Sequence, residues 1–343
     1  MSIHALAQDL GLSISTVSRA LNGYADVSPA TRERVVQRAA ALGYRPHPGA
    51  RSLKSGKSHA VGVILPMDER GGPFVTPMYS TLLGAIAGVL EEEGYTLLVT
   101  THYSASVHDE VGRYDHLINS RSVDAFVVVR TLAQDPRVQL LHERGVPFVT
   151  YGRSQFDGEH PWVDTDNEGA FAMATRRLLD FGHRRIGFLN GPQPYAFAQL
   201  RRRGHRQALA QAGIAVDPAL DLEGDLTEKA GYALTERLLQ RLDRPQRPTA
   251  ILCANDAMAI GAMACCRQHG LRVPEDLSIM GYGNSDASRY CNPPLSTVEH
   301  KVADNGRHLG QLLLASLGHR PAPRSSYLEP VELIGRLSDG PAP

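Results

Sequence analysis

The chain lacks several features that would settle its class quickly. It has only four cysteines in 343 residues, Cys253, the neighbours Cys265 and Cys266, and Cys291, with no CxxC spacing and no histidine at metal-ligand spacing. A disulfide framework or a structural metal is therefore not expected, and reduced thiols are. No apolar run approaches the ~20 residues that span a bilayer. The start, Met1-Ser-Ile-His-Ala, has neither the basic nor the apolar segment of a signal peptide, so a cytoplasmic location is expected. Also missing are a GxSxG elbow, a P-loop, an HExxH pair and a GxGxxG after a strand, so no enzyme and no cofactor is expected. Asp164 and Asp166 in "VDTDNEGA" come nearest to paired carboxylates. A helix expected to open at Asn167 makes capping or a cleft-edge contact the better reading.

Net charge is also absent, since 36 basic residues face 36 acidic ones. That balance conceals a division. Residues 1–58 hold eight basic side chains against Asp9, Asp26 and Glu33, leaving the head basic by five charges and the remainder acidic by as many. A basic head on a mildly acidic body suggests a polyanion partner for the head alone, with a solvated charged face as the alternative. The composition, 42% hydrophobic and 21% charged, is globular, and the length suits two or three folding units.

Three helical patterns fill the head. Ile3, Leu6, Ala7 and Leu10 share one face, and Gly11 then permits a tight turn. A second helix is expected from about Ser15 to Leu21, ended by Asn22-Gly23. Ser28-Pro29 opens a third, with Val35, Ala39 and Leu42 inward. The stretch "RPHPGARSLKSGKSH" has the proline and glycine of a linker, and its island Ala50-Arg-Ser-Leu53 is too short to be a stable helix unaided.

From Ala60 onward strands and helices alternate: "AVGVILP", "TLLVTT", "DAFVVVR" and "PFVTYG", then "RIGFLNG", "AILCAN" and "SIMGYG". The alternation predicts parallel sheets covered by helices on both faces, arranged as two similar lobes across a cleft. "NPPLSTVEH", a helix from about Val302 to Leu317, and "PVELIGRL" must each rejoin a lobe, so more than one crossing is expected. Such a cleft can close by hinge motion.

A helix, a tight turn, a second helix and a supporting third make a helix-turn-helix, whose second helix enters the DNA major groove. In Ser15-Thr-Val-Ser-Arg-Ala-Leu-Asn22, Val17, Ala20 and Leu21 fall on the packing side, while Ser15, Ser18 and Arg19 point elsewhere. Arg19 can donate two parallel hydrogen bonds to a guanine edge. The strings "STVSRALNG", "VSPATRERV" and "ALGYRPHPGARSLKSGKS" closely resemble the N-terminal module of the LacI/GalR family of bacterial repressors, and the resemblance continues through the body. It implies an all-α helix-turn-helix domain joined to an α/β body of two parallel-sheet lobes like a periplasmic sugar-binding protein. It also implies a homodimer on operator DNA. By this resemblance Ile14, Ser15 and Arg19 match base-reading positions, and Thr16, Ser18 and Asn22 match backbone-contacting ones. Leu53 matches the leucine that a hinge helix wedges into the minor groove, where an apolar wedge kinks the duplex.

Ligands of such lobes lie beyond the carboxyl ends of the strands. Arg153 and Asp256 follow strands there, and Arg201 in "LRRRGHRQAL" matches the family's effector-binding arginine. Asp256 in "ANDAMAIG" matches an aspartate that accepts hydrogen bonds from the ligand. Phe74 and Tyr79 follow the first strand, and Tyr195 and Phe197 occupy the corresponding region of the second lobe. Aromatic faces with charged side chains suit a saccharide. The plainer alternatives are a helix cap for Asp256, a solvated charge among Arg201, Arg202 and Arg203, and pairing of Arg153 with Asp157 or Glu159. Phe74 and Phe197 could equally be core. The expected domains are 1–45 for the head, 46–58 for the hinge linker and 59–343 for the sensor. Lobe one is expected over about 59–158 and 285–318, lobe two over 159–284 and 319–343. The function implied is an effector-responsive repressor of a carbohydrate operon, "YGR" and "GPQPYAFAQLRRRGH" being similar to α-glucoside-responsive members. A cytoplasmic saccharide-binding protein, or a regulator sensing a nucleoside or sugar phosphate, is the alternative.

Overall fold

The computed structural model describes residues 2–21, 23–44, 56–67, 77–103, 107–241 and 246–343. They form two compact units, Met1–His59 and Ala60–Pro343.

In the head, α1 (Ile3–Leu10), α2 (Ile14–Leu21) and α3 (Pro29–Ala41) form as the periodicity predicts. Ser2 caps α1 by accepting from the Ala5 amide, and Ser28 caps α3 by accepting from Thr31. Gly11 ends α1 at φ 65°, a left-handed conformation that suits glycine. Leu6, Ala7 and Leu10 meet Val17, Ala20, Val35 and Ala39 in one small core. Arginines clamp its rim: Arg38 donates to both oxygens of Asp9 at 2.6 and 2.7 Å, and Arg34 donates to the Leu10 carbonyl. Arg38 holds the Asp9 carboxyl below its usual range. Part of the basic surplus therefore ties the helices together.

In the body, lobe one is a six-stranded parallel sheet. Its strands are β1 (Ala60–Met67), β2 (Thr96–Tyr103), β3 (Ala125–Val128), β4 (Phe148–Tyr151), β5 (Trp162–Thr165) and β11 (Ser326–Glu329), in the order β11-β5-β4-β3-β1-β2. Strand alternation sends Val61, Val63 and Val127 to one face, which meets α4 (Pro77–Glu91) and α12 (Val302–Ser316). Ile64, Phe126 and Val128 go to the other, against α5 (Val107–Asn119) and α6 (Pro136–Glu143). Both faces are dry, so the strands are nearly continuous apolar runs.

Lobe two is a four-stranded parallel sheet of β6 (Ile186–Asn190), β7 (Asp221–Glu223), β8 (Ala250–Cys253) and β9 (Ser278–Met280), in the order β7-β6-β8-β9. Helices α7 (Asn167–Asp180) and α8 (Ala196–Gln211) cover one face. Helices α9 (Glu228–Arg241) and α10 (Asp256–Gln268) cover the other, and the short α11 (Asp286–Tyr290) follows β9. An antiparallel pair, β10 (Thr297–His300) with β12 (Val331–Ile334), completes the lobe.

The chain crosses between lobes three times, and not where the sequence boundaries fall. β5 pairs with β4 on one side and with the edge strand β11 on the other, so residues 162–165 and 326–329 belong to lobe one. Residues 285–300 stay with lobe two, where Ser296 bridges Met280 and the Gly283 amide donates to Val298. The boundaries expected near 158, 284 and 318 are therefore corrected to about 166, 301 and 330. β5 and β11 are only four residues long, and the mixed polarity of Trp162-Val-Asp-Thr165 and Ser326-Tyr-Leu-Glu329 hides them from a periodicity reading.

Helices α9 and α10 approach so closely that only glycine fits at two points between them. A Cβ on Gly261 would run into the Glu228 carbonyl, and one on Gly231 into that of Met258. Gly261→Ala should cost about 1–3 kcal/mol by overpacking. Gly88→Ala on α4 meets open space and should stabilise by up to ~1 kcal/mol. Urea midpoints of the two variants measure the contrast.

Candidate functional site

On α2 the side chains divide as a groove-reading helix requires. Val17 and Ala20 are buried, Ile14, Ser15 and Arg19 are exposed, and Thr16 and Ser18 are half-buried. Ile14 is 41% exposed, which is unusual for so apolar a side chain on a small domain. Ser13, which the sequence reading passed over, organises the helix start. Its Oγ accepts from the Thr16 amide at 3.1 Å and lies 2.8 Å from both Ser15 Oγ and Thr16 Oγ1. The Arg19 guanidinium stands 5.6 Å from the Tyr24 ring centroid, with its Nη2 2.5 Å from Asp26 Oδ2. Asn22 and Leu53 lie outside the described residues, as do Phe74 and most of the linker.

The body's site forms where the lobes meet, beyond the carboxyl ends of the strands. α8 delivers Arg201 into it. The residue is 9% exposed, with its guanidinium 4.1 Å from the Tyr282 ring centroid, 4.6 Å from that of Phe197 and 5.3 Å from that of Phe171. Arg201 Nε donates to Asn167 Oδ1 at 2.8 Å, and Nη1 to the Ala254 carbonyl at 2.7 Å. Burial lowers its proton affinity. The competition within "LRRRGH" is thereby resolved: Arg202 pairs with Asp221 and Glu223, and Arg203 with Glu168, all away from Arg201's rings.

Arg153, at the end of β4, donates through Nε to Asp164 Oδ2 at 2.8 Å rather than pairing with Asp157 or Glu159. Asp164 also accepts from the Asn167 side chain, so Arg153, Asp164, Asn167 and Arg201 form one hydrogen-bonded chain from lobe one to lobe two. Burial holds the Asp164 carboxyl above its usual range despite Arg153. Gly152, at φ 111°, admits Thr131 Oγ1 where a Cβ would stand, drawing the loop after β3 against the loop after β4. Asp166 caps α7 by accepting from Gly169.

Across the mouth, Tyr195 bridges Leu132, stacks on Phe197 at 5.5 Å and carries Arg130 over its ring at 4.6 Å. Tyr79 lies nearby, and burial pushes its phenol up to about 12. Asp256 reaches the cleft end of β8, but its carboxylate is engaged by the chain itself. Oδ1 accepts from Thr297 at 2.6 Å, and Oδ2 accepts from the Ser285 amide and hydroxyl. It does not cap α10; Asn255 does, accepting from Met258. Asp256 thus fixes the turn that carries Tyr282.

The sequence reading missed Asn167, Phe171, Tyr282, Asn305 and His300 at this site. Tyr282 follows β9 and was open to the same strand-end reasoning that found Arg153. Asn305 gave no signal. It sits one turn into α12, donates to the Tyr151 hydroxyl and Thr165 Oγ1, and leaves its buried Oδ1 without a partner among the described residues. Among the described residues no group of three His, Cys, Asp or Glu could hold a metal, and no helix is long and apolar enough to cross a membrane.

A helix-turn-helix head in one chain with a two-lobed α/β body is the architecture of a DNA-binding regulator with a binding-protein-like body. Comparison with known proteins agrees. Residues 2–47 match the lacI family of bacterial regulatory proteins, and residues 175–338 match a periplasmic binding protein-like domain. The transcriptional regulator AglR of Rhizobium meliloti is 34% identical over 350 residues, covering all of this chain and 95% of that one. The structure of the regulator CelR in complex with cellobiose is 31% identical with a TM-score of 0.74, over 98% of this chain and 99% of that one. The lac repressor dimer bound to operator and the anti-inducer ONPF is 27% identical with a TM-score of 0.84, covering 99% of both chains. This chain belongs to the LacI family, and it is a DNA-binding transcriptional regulator rather than an enzyme.

Two histidines beside the site give it a pH signature. His205 stacks on Phe188, and His300 stacks on Tyr282 with Nδ1 buried and, among the described residues, unpartnered. Burial pulls them down to about 4 and about 3. Below about pH 6.5 the unfolded chain takes up protons that the folded chain refuses. Stability from these groups is therefore complete above that pH and falls as the pH drops toward 4 and 3. Each should account for a loss of ~2 kcal/mol by pH 5. Urea midpoints at pH 7.5 and 5.0 measure the decline, and His205→Gln should flatten it.

Proposed function

We propose that the protein is a homodimeric, cytoplasmic repressor that releases its operator when a saccharide binds between the lobes. The observation that carries the ligand reading is Arg201, a buried cation faced by three rings and, among the described residues, hydrogen-bonded only to neutral acceptors. Ring faces suit the C–H faces of a sugar, and a guanidinium fork suits vicinal hydroxyls. Arg153, Tyr79, Tyr195 and Phe197 supply the remaining contacts, while Asp256 positions Tyr282. Ile14, Ser15 and Arg19 read bases, and Thr16 and Ser18 meet the phosphate backbone. Glucose-containing oligosaccharides, α-glucosides among them, are the favoured ligands, and the cellobiose bound by the related CelR supports that class.

Ligand that closes the lobes disfavours the DNA-bound geometry, so by linkage operator-bound protein must bind the sugar more weakly. Titration calorimetry with and without operator tests this, and equal affinities would overturn it. Gel shift on the DNA upstream of its own gene, with maltose, trehalose, sucrose and cellobiose added, should show a specific complex that one sugar dissolves. A complex that no sugar dissolves would reject the saccharide, and no specific complex would reject the repressor. Arg201→Lys should keep the shift yet weaken the sugar response about tenfold or more, because a point charge cannot replace the fork.

A further inference from the structure

The head spends its three acidic residues in different ways. Asp9 joins α1 to α3 through Arg38, and Glu33 accepts from Gln37 within α3. Asp26 stands in the turn between α2 and α3, with its carboxylate against Arg19. Both partners are about half exposed, 49% and 48%, and an ion pair so exposed contributes little to folding. A carboxylate beside a DNA-reading helix also repels phosphates and weakens binding to any duplex. Fold stability and general DNA affinity therefore both leave Asp26 unexplained.

We infer that Asp26 is a specificity-determining positioning residue that presets Arg19 for a guanine. The inference rests on the reading of Arg19 as a base reader. The contact engages Nη2 of the guanidinium, whereas a guanine edge needs two of the fork's five N–H donors. The fork can thus hold the carboxylate on one side and the base on the other. Tyr24 stacks beside the guanidinium at 5.6 Å, and Arg32 fixes the Tyr24 backbone by donating to its carbonyl at 2.7 Å. Arg19 is therefore held from two directions on a turn that is itself clamped. Side-chain freedom normally lost on docking is lost beforehand, and a base that cannot accept two hydrogen bonds faces a fork already committed in direction.

The test selects duplexes from a randomised pool with full-length wild-type protein, then repeats the selection with Arg19→Ala, Asp26→Asn and the double variant. Arg19→Ala should erase one guanine from the enriched motif and cost about five- to a hundredfold on the wild-type duplex. If it changes nothing, the base-reading role of Arg19 fails independently of Asp26. Asp26→Asn should blur the same guanine and tighten binding to unselected duplex. It should lower the specific-to-unselected ratio about threefold or more, an effect absent once Arg19 is gone. A motif unchanged by Asp26→Asn, or equal tightening on both duplexes, would overturn the inference by making Asp26 a simple electrostatic penalty. Circular dichroism melting of each variant checks that the head remains folded.

Discussion

The cleft of the body is organised around the burial of Arg201. Among the described residues no carboxylate lies at ion-pair distance from Arg201, so its solvation is replaced by ring faces, a backbone carbonyl and the Asn167 amide. An unbalanced buried charge is costly unless its donors are met. The nearest compensation is indirect, through Asn167 to Asp164, whose own carboxyl is raised by burial and shared with Arg153. This chain of four side chains begins in lobe one and ends in lobe two. Any shift of one lobe against the other must stretch it, and any ligand bound there contacts both walls.

The position of the crossings gives that coupling its leverage. β5 ends at Thr165, and Asn167 opens α7, so the first crossing runs through the hydrogen-bonded chain itself. The Asp166 amide donates to the Glu329 carbonyl, tying the first crossing to the third. Asn305, just beyond the second, reaches back to Thr165. Three strands thus change lobes within reach of one another and of the site. A hinge built this way constrains closure to a narrow set of motions, because each crossing is hydrogen-bonded to another.

How much of this was legible followed how local each signal is. Helix caps and the turn glycine of the head involve residues two to four apart, and Ser28-Pro29 and Gly11 were read directly, though the Ser2 cap was not. Buried parallel strands announce themselves as apolar runs, so β1, β3, β6 and β8 were plain. β5 and β11 were not, because their identity comes from pairing with each other across more than 160 residues. The site divided in the same way. Arg201 and Arg153 were found from motif and strand end. What Arg153 pairs with, why Asp256 is spent on Ser285 and Thr297, and how Asn305 joins the site are long-range facts with no local trace.

The two units also limit what the signal between them can be. The head's core is closed by its own residues, from Leu6 through Ala39, and its rim by its own ion pairs. On the proposed reading, what ligand in the body alters is how two heads are presented to one duplex. Half-sites on DNA are separated by fixed multiples of the helical repeat, so a small change in presentation breaks simultaneous engagement. Losing one of two linked contacts weakens binding by orders of magnitude without weakening either contact itself. On the proposed reading, a coupling of only ~1–3 kcal/mol in the cleft is then sufficient to switch operator occupancy.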